Sequence, residues 1–252
     1  MSLLVNRNSL HRLWRFLKQY KWILLYLSLL LLACKQPSTP ETLSTQEIVD
    51  RTAKKMRQVQ SFHYVIDRTG ASAFLDSEET ISFRHAEGYF VAPDRTQAVV
   101  RVIGPGIITD LSIVGIGAVQ WQTNIATGQW EELPPDVGFN PSLLFDAELG
   151  IPNLLVTDLS ELTTSVTASD EGEVNDTYKL EGKIAGEKLY EISQGLIGPE
   201  TMTITIWIGR EQFYLRRVQL VEPSQVPEEK ETIWQIEFDA FDEVVEIIPP
   251  VE

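Results

Sequence analysis

The 252-residue chain has few of the residues that cross-link a fold, hold metals or attract nucleic acid. It contains one cysteine, so no intramolecular disulfide can form, and only three histidines. Positive charge is scarce, because 21 Lys and Arg face 36 Asp and Glu, giving a formal charge of −15. Such a body repels phosphate backbones, which argues against a DNA or RNA partner. The 43% hydrophobic content also excludes a multi-span membrane protein.

The first 34 residues have the parts of a bacterial lipoprotein signal. Five basic residues and no acid come before a 12-residue apolar run, Trp22 to Ala33, which suits a signal peptide and is short for a span of about 20 residues. The run ends Leu31-Leu32-Ala33-Cys34, which resembles a lipobox. In such precursors the cysteine thiol receives a diacylglyceryl group, palmitate being a typical acyl chain, and cleavage makes the cysteine the new N-terminus. Two alternatives stay open, a short membrane anchor and an ordinary secretory signal with an unmodified cysteine.

This pattern predicts the organisation of the whole chain. Residues 1–33 are a signal peptide, and residues 34–45 are the lipidated Cys34 with a flexible tether rich in Pro, Ser and Thr. No linker, repeat or composition shift divides residues 46–252, so we expect a single domain there. Two or more acyl chains on Cys34 would hold this domain stably on the extracytoplasmic face of the cell membrane.

Hydrophobic periodicity predicts an α+β domain dominated by antiparallel strands. A helix is expected over residues 45–59, with Ser44 or Thr45 as cap and Glu47 three residues after Ser44 as in a capping box. The period then changes to two, most clearly in TMTITIWIGR (residues 201–210), where Met202 and Ile204 lie on one face. We expect ten or eleven strands, with two further short helical segments. One begins over residues 140–145 and can continue after Gly150 through Leu154, Leu155 and Leu159, and the other covers residues 187–195.

A long sheet with one apolar face and only three short helices to cover it leaves an apolar cavity if the sheet curves. The alternative is a fully packed core. The strand residues expected to line the cavity are Phe62, Tyr64, Ile66, Ile81, Phe83, Val100, Val102, Trp121, Met202, Ile204, Ile206, Trp234, Ile236 and Phe238. The helical residues expected to line it and to close it as a lid are Leu143, Leu144 and Phe145, with a second lid over residues 189–192.

No catalytic constellation is present in the sequence. The G-x-S-x-G, H-E-x-x-H and C-x-x-C motifs are all missing, and the acidic clusters lack EF-hand spacing. His63 and His85 lie on predicted strands beside apolar residues, where a partly exposed structural histidine is a better interpretation than a general base. We therefore expect no catalytic residue, no metal and no cofactor, and a protein that is not an enzyme.

Several segments, in their order along the chain, resemble the LppX/LprG-type bacterial lipoproteins. They are the opening helix and strand over residues 48–70, the hairpin from Trp121 to Trp130, the segment from Asn140 to Gly150, and the strand Thr205-Ile206-Trp207-Ile208. The resemblance implies a LolA-like fold, an incomplete antiparallel barrel closed by helices around an apolar cavity. It also implies binding of acylated lipids or glycolipids, which members carry or present in the cell envelope.

These observations favour a membrane-anchored lipid-binding carrier over two alternatives. The first alternative is an envelope sensor or regulatory module that acts through a membrane-protein partner. The second is a structural lipoprotein with a filled core. For the carrier, the expected partners are an acylated lipid or glycolipid, the membrane through the N-terminal anchor, and a membrane transporter. The protein is expected to be a monomer.

Overall fold

The computed structural model describes residues 43–76, 78–134, 140–167, 176–224 and 231–250. The predicted signal peptide, Cys34 and most of the predicted tether lie outside these residues. Within the described part of the chain, no helix is long and apolar enough to cross a membrane.

The described residues form four helices and twelve strands. The helices are α1 (Thr45–Met56), α2 (Ser142–Phe145), α3 (Ile151–Thr157) and α4 (Glu187–Ile192). The strands are β1 (Ser61–Thr69), β2 (Ala73–Phe74), β3 (Ser82–Val91), β4 (Arg95–Gly104), β5 (Ile107–Ile116), β6 (Val119–Thr123), β7 (Trp130–Leu133), β8 (Leu159–Thr167), β9 (Thr177–Ile184), β10 (Met202–Gly209), β11 (Leu215–Glu222) and β12 (Thr232–Asp239).

All twelve strands belong to one antiparallel sheet. Its order is β7-β6-β5-β4-β3-β1-β12-β11-β10-β9-β8, and the two-residue β2 pairs with β3. The first and last long strands are therefore neighbours at the centre, where Tyr64 pairs with Phe238. The sheet is not closed, so the expected fold class, an incomplete antiparallel barrel with a few helices, is confirmed.

Strand pairing at the centre depends on one glycine. Gly88 in β3 lies opposite Ala98 in β4. A Cβ atom on Gly88 would lie 2.2 Å from the Gln97 carbonyl oxygen and 2.8 Å from the Ala98 Cβ. Because neither neighbour can move away within a paired strand, only glycine allows β3 and β4 to approach this closely.

Helix α1 follows from its predicted cap and apolar stripe. The Ser44 hydroxyl oxygen accepts from the Glu47 N–H, and the Glu47 carboxylate accepts from the Ser44 N–H at 2.9 Å, forming a complete capping box. The buried stripe includes Ile48, Val49 and Ala53, and the helix packs against α3. The helix ends at Met56, earlier than the predicted residue 59, because the chain must turn before β1 begins at Ser61.

The other helices are shorter than their sequence patterns suggested. The Asn140 side-chain oxygen accepts from both the backbone N–H and the hydroxyl of Ser142, whereas Pro141, directly before α2, makes no side-chain capping hydrogen bond. Helix α4 ends at Ile192, and Gly195 follows in the left-handed region at φ 84°. Together these helices cover only part of the inner face of the sheet.

Candidate functional site

An apolar cavity of about 220 Å³, partly open to solvent, lies on the inner face of the sheet. Most of its surface is hydrocarbon, and three polar side chains, Asp76, Gln120 and Gln122, also reach it. The lining residues are Ile66, Leu75, Asp76, Ile81, Phe83, Ala86, Val100, Leu111, Ile113, Gln120, Gln122, Ile125, Leu133 and Pro141.

The floor of the cavity is one row of side chains that crosses neighbouring strands. In the strand register Ile66 lies opposite Ala86, Ala86 opposite Val100, and Val100 opposite Leu111. Residues directly opposite each other share a face of the sheet, so the row points inward as a unit. Ala86 is the smallest member of the row, and its short side chain leaves space that its neighbours do not fill.

The polar groups of the cavity are concentrated on β6. Gln120 and Gln122 are alternate residues of this strand, so both amides point inward. Neither side chain has a hydrogen-bond partner among the residues that the structure describes, although Gln120 is buried. Both amides reach the cavity, so they can donate to a ligand that brings hydrogen-bond acceptors.

Asp76 holds a short turn at the rim of the cavity. Its carboxylate accepts from the Thr80 N–H, the Thr80 hydroxyl and the Ile81 N–H, the last at 2.7 Å. These hydrogen bonds, the one from the Thr80 hydroxyl above all, lower the pKa of Asp76 from its usual value. The charged carboxylate thereby fixes Leu75 and Ile81, which both line the cavity.

A second, much smaller hollow of about 30 Å³ lies beneath α2, α3 and α4. Its walls are entirely apolar side chains: Leu144, Ile151, Leu154, Leu155, Ile184, Leu189, Ile197, Ile204, Val218, Leu220 and Ile236. Ile236 is the register partner of Ile66, which lines the larger cavity. Adjacent strands are about 4.8 Å apart, so the linings of the two spaces meet at this pair.

Aromatic packing fills another part of the inner face. The ring of Phe145 from α2 contacts four rings of the sheet at centroid distances from 4.7 to 6.0 Å. Those rings belong to Phe62, Tyr64, Phe90 and Phe238. The Tyr64 hydroxyl is fully buried and bonded to the Thr96 hydroxyl at 2.9 Å, and burial raises the pKa of Tyr64. This region is core rather than binding space.

The residues predicted to line the cavity are thus distributed over several environments. Four line the larger cavity: Ile66, Ile81, Phe83 and Val100. Three line the smaller hollow: Leu144, Ile204 and Ile236. Four belong to the aromatic cluster: Phe62, Tyr64, Phe145 and Phe238. Four are buried in the core outside both spaces: Val102, Met202, Ile206 and Trp234. Leu143 is half-buried and lines neither space.

The prediction for Trp121 has to be corrected. Trp121 lies between Gln120 and Gln122 on β6, and those two glutamines point into the cavity. Since successive strand residues point to opposite faces, the Trp121 side chain lies on the outer face, where it is half-buried. The sequence interpretation placed the large apolar Trp121 on the inner face. In the structure β6 turns its two glutamines inward and Trp121 outward.

Several lining residues were missed by the sequence interpretation. They are Leu75, Asp76, Ala86, Leu111, Ile113, Gln120, Gln122, Ile125, Leu133 and Pro141. A signal for two of them was present, since Leu111 and Ile113 alternate with polar or small residues in DLSIVGI. The others come from turns and from the register of β6, which periodicity alone does not determine.

The two strand histidines lie on the outer face, away from both spaces. His63 lies between Asp239 and Glu87, with ring nitrogens 2.8 and 3.2 Å from their carboxylate oxygens. His85 contacts the Asp67 carboxylate at 2.8 Å. These are cross-strand polar pairs. Over the described residues, no group of three or more His, Cys, Asp or Glu side chains is arranged to hold a metal ion.

The described residues thus form an open antiparallel sheet with a few helices around a partly open apolar cavity. The model of the LppX_LprAFG lipoprotein family matches residues 44–247, and the chain belongs to this family. The resemblance inferred from the short motifs is thereby confirmed.

Two solved structures have the same fold. LprF from Mycobacterium bovis is 17% identical, with a TM-score of 0.63, and the match covers 82% of this chain and 97% of that one. The Mycobacterium tuberculosis lipoprotein LppX is 15% identical, with a TM-score of 0.55, over 81% of this chain and 97% of that one. No curated protein sequence matches the chain.

Proposed function

We propose that this protein is an envelope lipoprotein that takes acyl chains into its cavity and carries or presents acylated lipids or glycolipids. The observation that carries the proposal is the partly open apolar cavity of about 220 Å³, with two unpaired glutamine amides in its wall. Cys34 would attach the protein to the extracytoplasmic face of the cell membrane. The function is binding, without a chemical step.

The mechanism is partition of hydrocarbon between two apolar phases. An acyl chain that leaves a bilayer for the cavity exchanges one apolar environment for another, so its net transfer cost is small. Exposing an acyl chain to water costs about 0.8 kcal/mol for each methylene group, and the protein avoids this cost by keeping the chain buried. The amides of Gln120 and Gln122 can donate to the ester carbonyls that join acyl chains to a headgroup.

The size of the cavity limits what it can hold. A cavity of about 220 Å³ is smaller than the range of about 300–1,000 Å³ typical of sites that enclose a drug-sized ligand. It therefore suits one acyl chain better than a complete multi-acyl lipid. Movement of the Ile66 and Ile236 side chains would connect it to the smaller hollow and lengthen the available space.

The direct test is native mass spectrometry of residues 35–252, the predicted mature chain without Cys34, exported from a bacterial host behind a cleavable secretory signal and purified without detergent. Co-purifying acyl lipids, or uptake of phosphatidylglycerol from vesicles, would support the proposal. A clean protein mass with no uptake of any offered lipid would refute it. If lipid binding is found, cross-linking to the lipidated protein would identify a membrane transporter that receives or supplies the lipid.

A further inference from the structure

A buried arginine lies next to the cavity on the inner face of the sheet. Arg68 is 5% exposed and follows Ile66, a cavity residue, at the next inward position of β1. Two strand residues span about 7 Å, so the arginine lies about that far beyond the cavity wall. It is opposite Trp234 in the strand register.

Two aromatic rings connect Arg68 to the cavity. The guanidinium carbon lies 5.2 Å from the centre of the Trp234 ring. That ring in turn stacks on Phe83, with centroids 5.5 Å apart and planes at 25°. Phe83 lines the cavity, so the stack of Phe83, Trp234 and Arg68 runs from the cavity wall to the guanidinium group.

The Arg68 side chain has no hydrogen-bond partner or ion pair among the described residues. Its Nε atom is buried and unpaired, which is rare because the desolvation of a charged donor is costly. Burial accordingly lowers the pKa of Arg68, and the nearby Arg84 lowers it further. A structural arginine would normally be paired with a carboxylate at this depth.

The nearest carboxylate is already occupied by other donors. Glu222 accepts from the Gly198 N–H at 2.5 Å and from the Trp234 indole N–H at 2.9 Å. No oxygen of Glu222 lies within 4 Å of Arg68, although its charge raises the pKa of Arg68. The N–H donors of the Arg68 guanidinium group are therefore not used by Glu222. The negative charge of Glu222 nevertheless lowers the net positive charge around Arg68.

We propose that Arg68 is the headgroup site of this protein, where an anionic phosphate or carboxylate group of the bound acyl lipid is held by the guanidinium fork. The inference rests on the proposed function, because the acyl chain must occupy the adjacent cavity. Guanidinium matches the two-oxygen geometry of these anions with parallel hydrogen bonds. The exposed Arg84 adds a second positive charge without being buried itself.

The test compares two fluorescently labelled lipids that have the same acyl chains, phosphatidylglycerol and diacylglycerol. Each is titrated into the predicted mature chain without its lipidated cysteine, residues 35–252, which is the reference protein. The reference is expected to bind phosphatidylglycerol about tenfold or more tightly than diacylglycerol, as one hydrogen-bonded charge pair provides. Arg68→Gln should lower the phosphatidylglycerol affinity by about the same factor and leave the diacylglycerol affinity unchanged.

A matched control is Arg101→Gln. Arg101 lies on β4 and makes a bidentate pair with Asp110 at 2.8 and 3.0 Å, so its loss should change neither affinity. Thermal unfolding of each variant checks its folding. Should Arg68→Gln fail to fold, Arg68→Met keeps a side chain that packs on Trp234, and the same loss of selectivity is expected.

The outcomes separate the two proposals. Equal phosphatidylglycerol affinity in the reference and in a folded Arg68 variant would overturn the headgroup site while leaving lipid binding intact. Binding of neither lipid to the reference protein would overturn the proposed function itself. Inorganic phosphate that binds the reference as tightly as phosphatidylglycerol would overturn the lipid assignment, because the acyl chains would then contribute nothing.

Discussion

Filling the cavity with a side chain should make the protein more stable and less able to bind lipid. The change is Ala86→Phe, since Ala86 is 2% exposed, belongs to the cavity floor and has the smallest side chain there. An unfilled space of about 220 Å³ costs up to about 5 kcal/mol at about 24 cal/mol per Å³. Cavity-filling changes typically recover about 0.5–2 kcal/mol of such a cost.

The same change has a calculable effect on binding. A phenyl ring that displaces about three methylene groups of an acyl chain removes about 2.4 kcal/mol of apolar burial. The dissociation constant for a fluorescent fatty acyl probe should therefore rise roughly fiftyfold. The midpoint temperature of thermal unfolding should rise by about 2–4 °C for each kcal/mol by which the free energy of unfolding increases in a protein of this size.

The matched control is Ala98→Phe on the neighbouring strand. Ala98 is also buried and points inward, but its Cβ lies directly over Gly88, only 2.8 Å from where a Gly88 Cβ would be. We expect this close contact between β3 and β4 to leave no space for a ring. Overpacking there should cost about 1–3 kcal/mol. The cavity would not be the binding space if Ala86→Phe were destabilised as strongly as Ala98→Phe, or if it were stabilised and still bound the probe like the unmodified protein.

Three further outcomes are expected. Phe145→Ala removes the ring at the centre of the aromatic cluster and should cost about 3–5 kcal/mol in urea unfolding, whereas a cost below about 1 kcal/mol would contradict the packing described. Tyr64→Phe removes one buried hydrogen bond to Thr96 and should cost about 1 kcal/mol, and an unchanged urea midpoint would count against that bond. Because the folded pKa of Asp76 is lowered, its contribution is present above the ordinary value of 3.8 and is lost as pH falls through the folded pKa. Amide hydrogen exchange of Thr80 should therefore show protection at pH 5 that persists at pH 3.8 and disappears only when the pH falls below the lowered folded pKa, and protection that does not change on full acidification would disprove the role of the carboxylate.

The period-two pattern was sufficient to predict the sheet, because one face of nearly every strand is buried. The series Phe62, Tyr64 and Ile66 was correctly assigned to the inner face, since burial of apolar side chains dominates strand orientation. The strand count differs only slightly, because the two-residue β2 has too few residues for any periodicity.

The cavity itself was harder to predict than the sheet. Whether an inward aromatic residue fills space or lines it depends on which helix packs against it, and Phe145 brings the ring that fills the region around Phe62. Arg68 was missed for a related reason. It has the same parity as Ile66, but a charged residue at an inward position breaks the apolar pattern that was used to find the inner face.

The pairing of β1 with β12 has a consequence for the order in which the protein is made. His63 and Asp239, which meet across this central seam, are 176 residues apart. Nearly the whole chain must be synthesised before its two half-sheets can join, and contacts of such long range form slowly. For a chain proposed to leave the cytoplasm behind an N-terminal signal, this delay is useful, because the precursor stays incompletely folded until its last strand arrives.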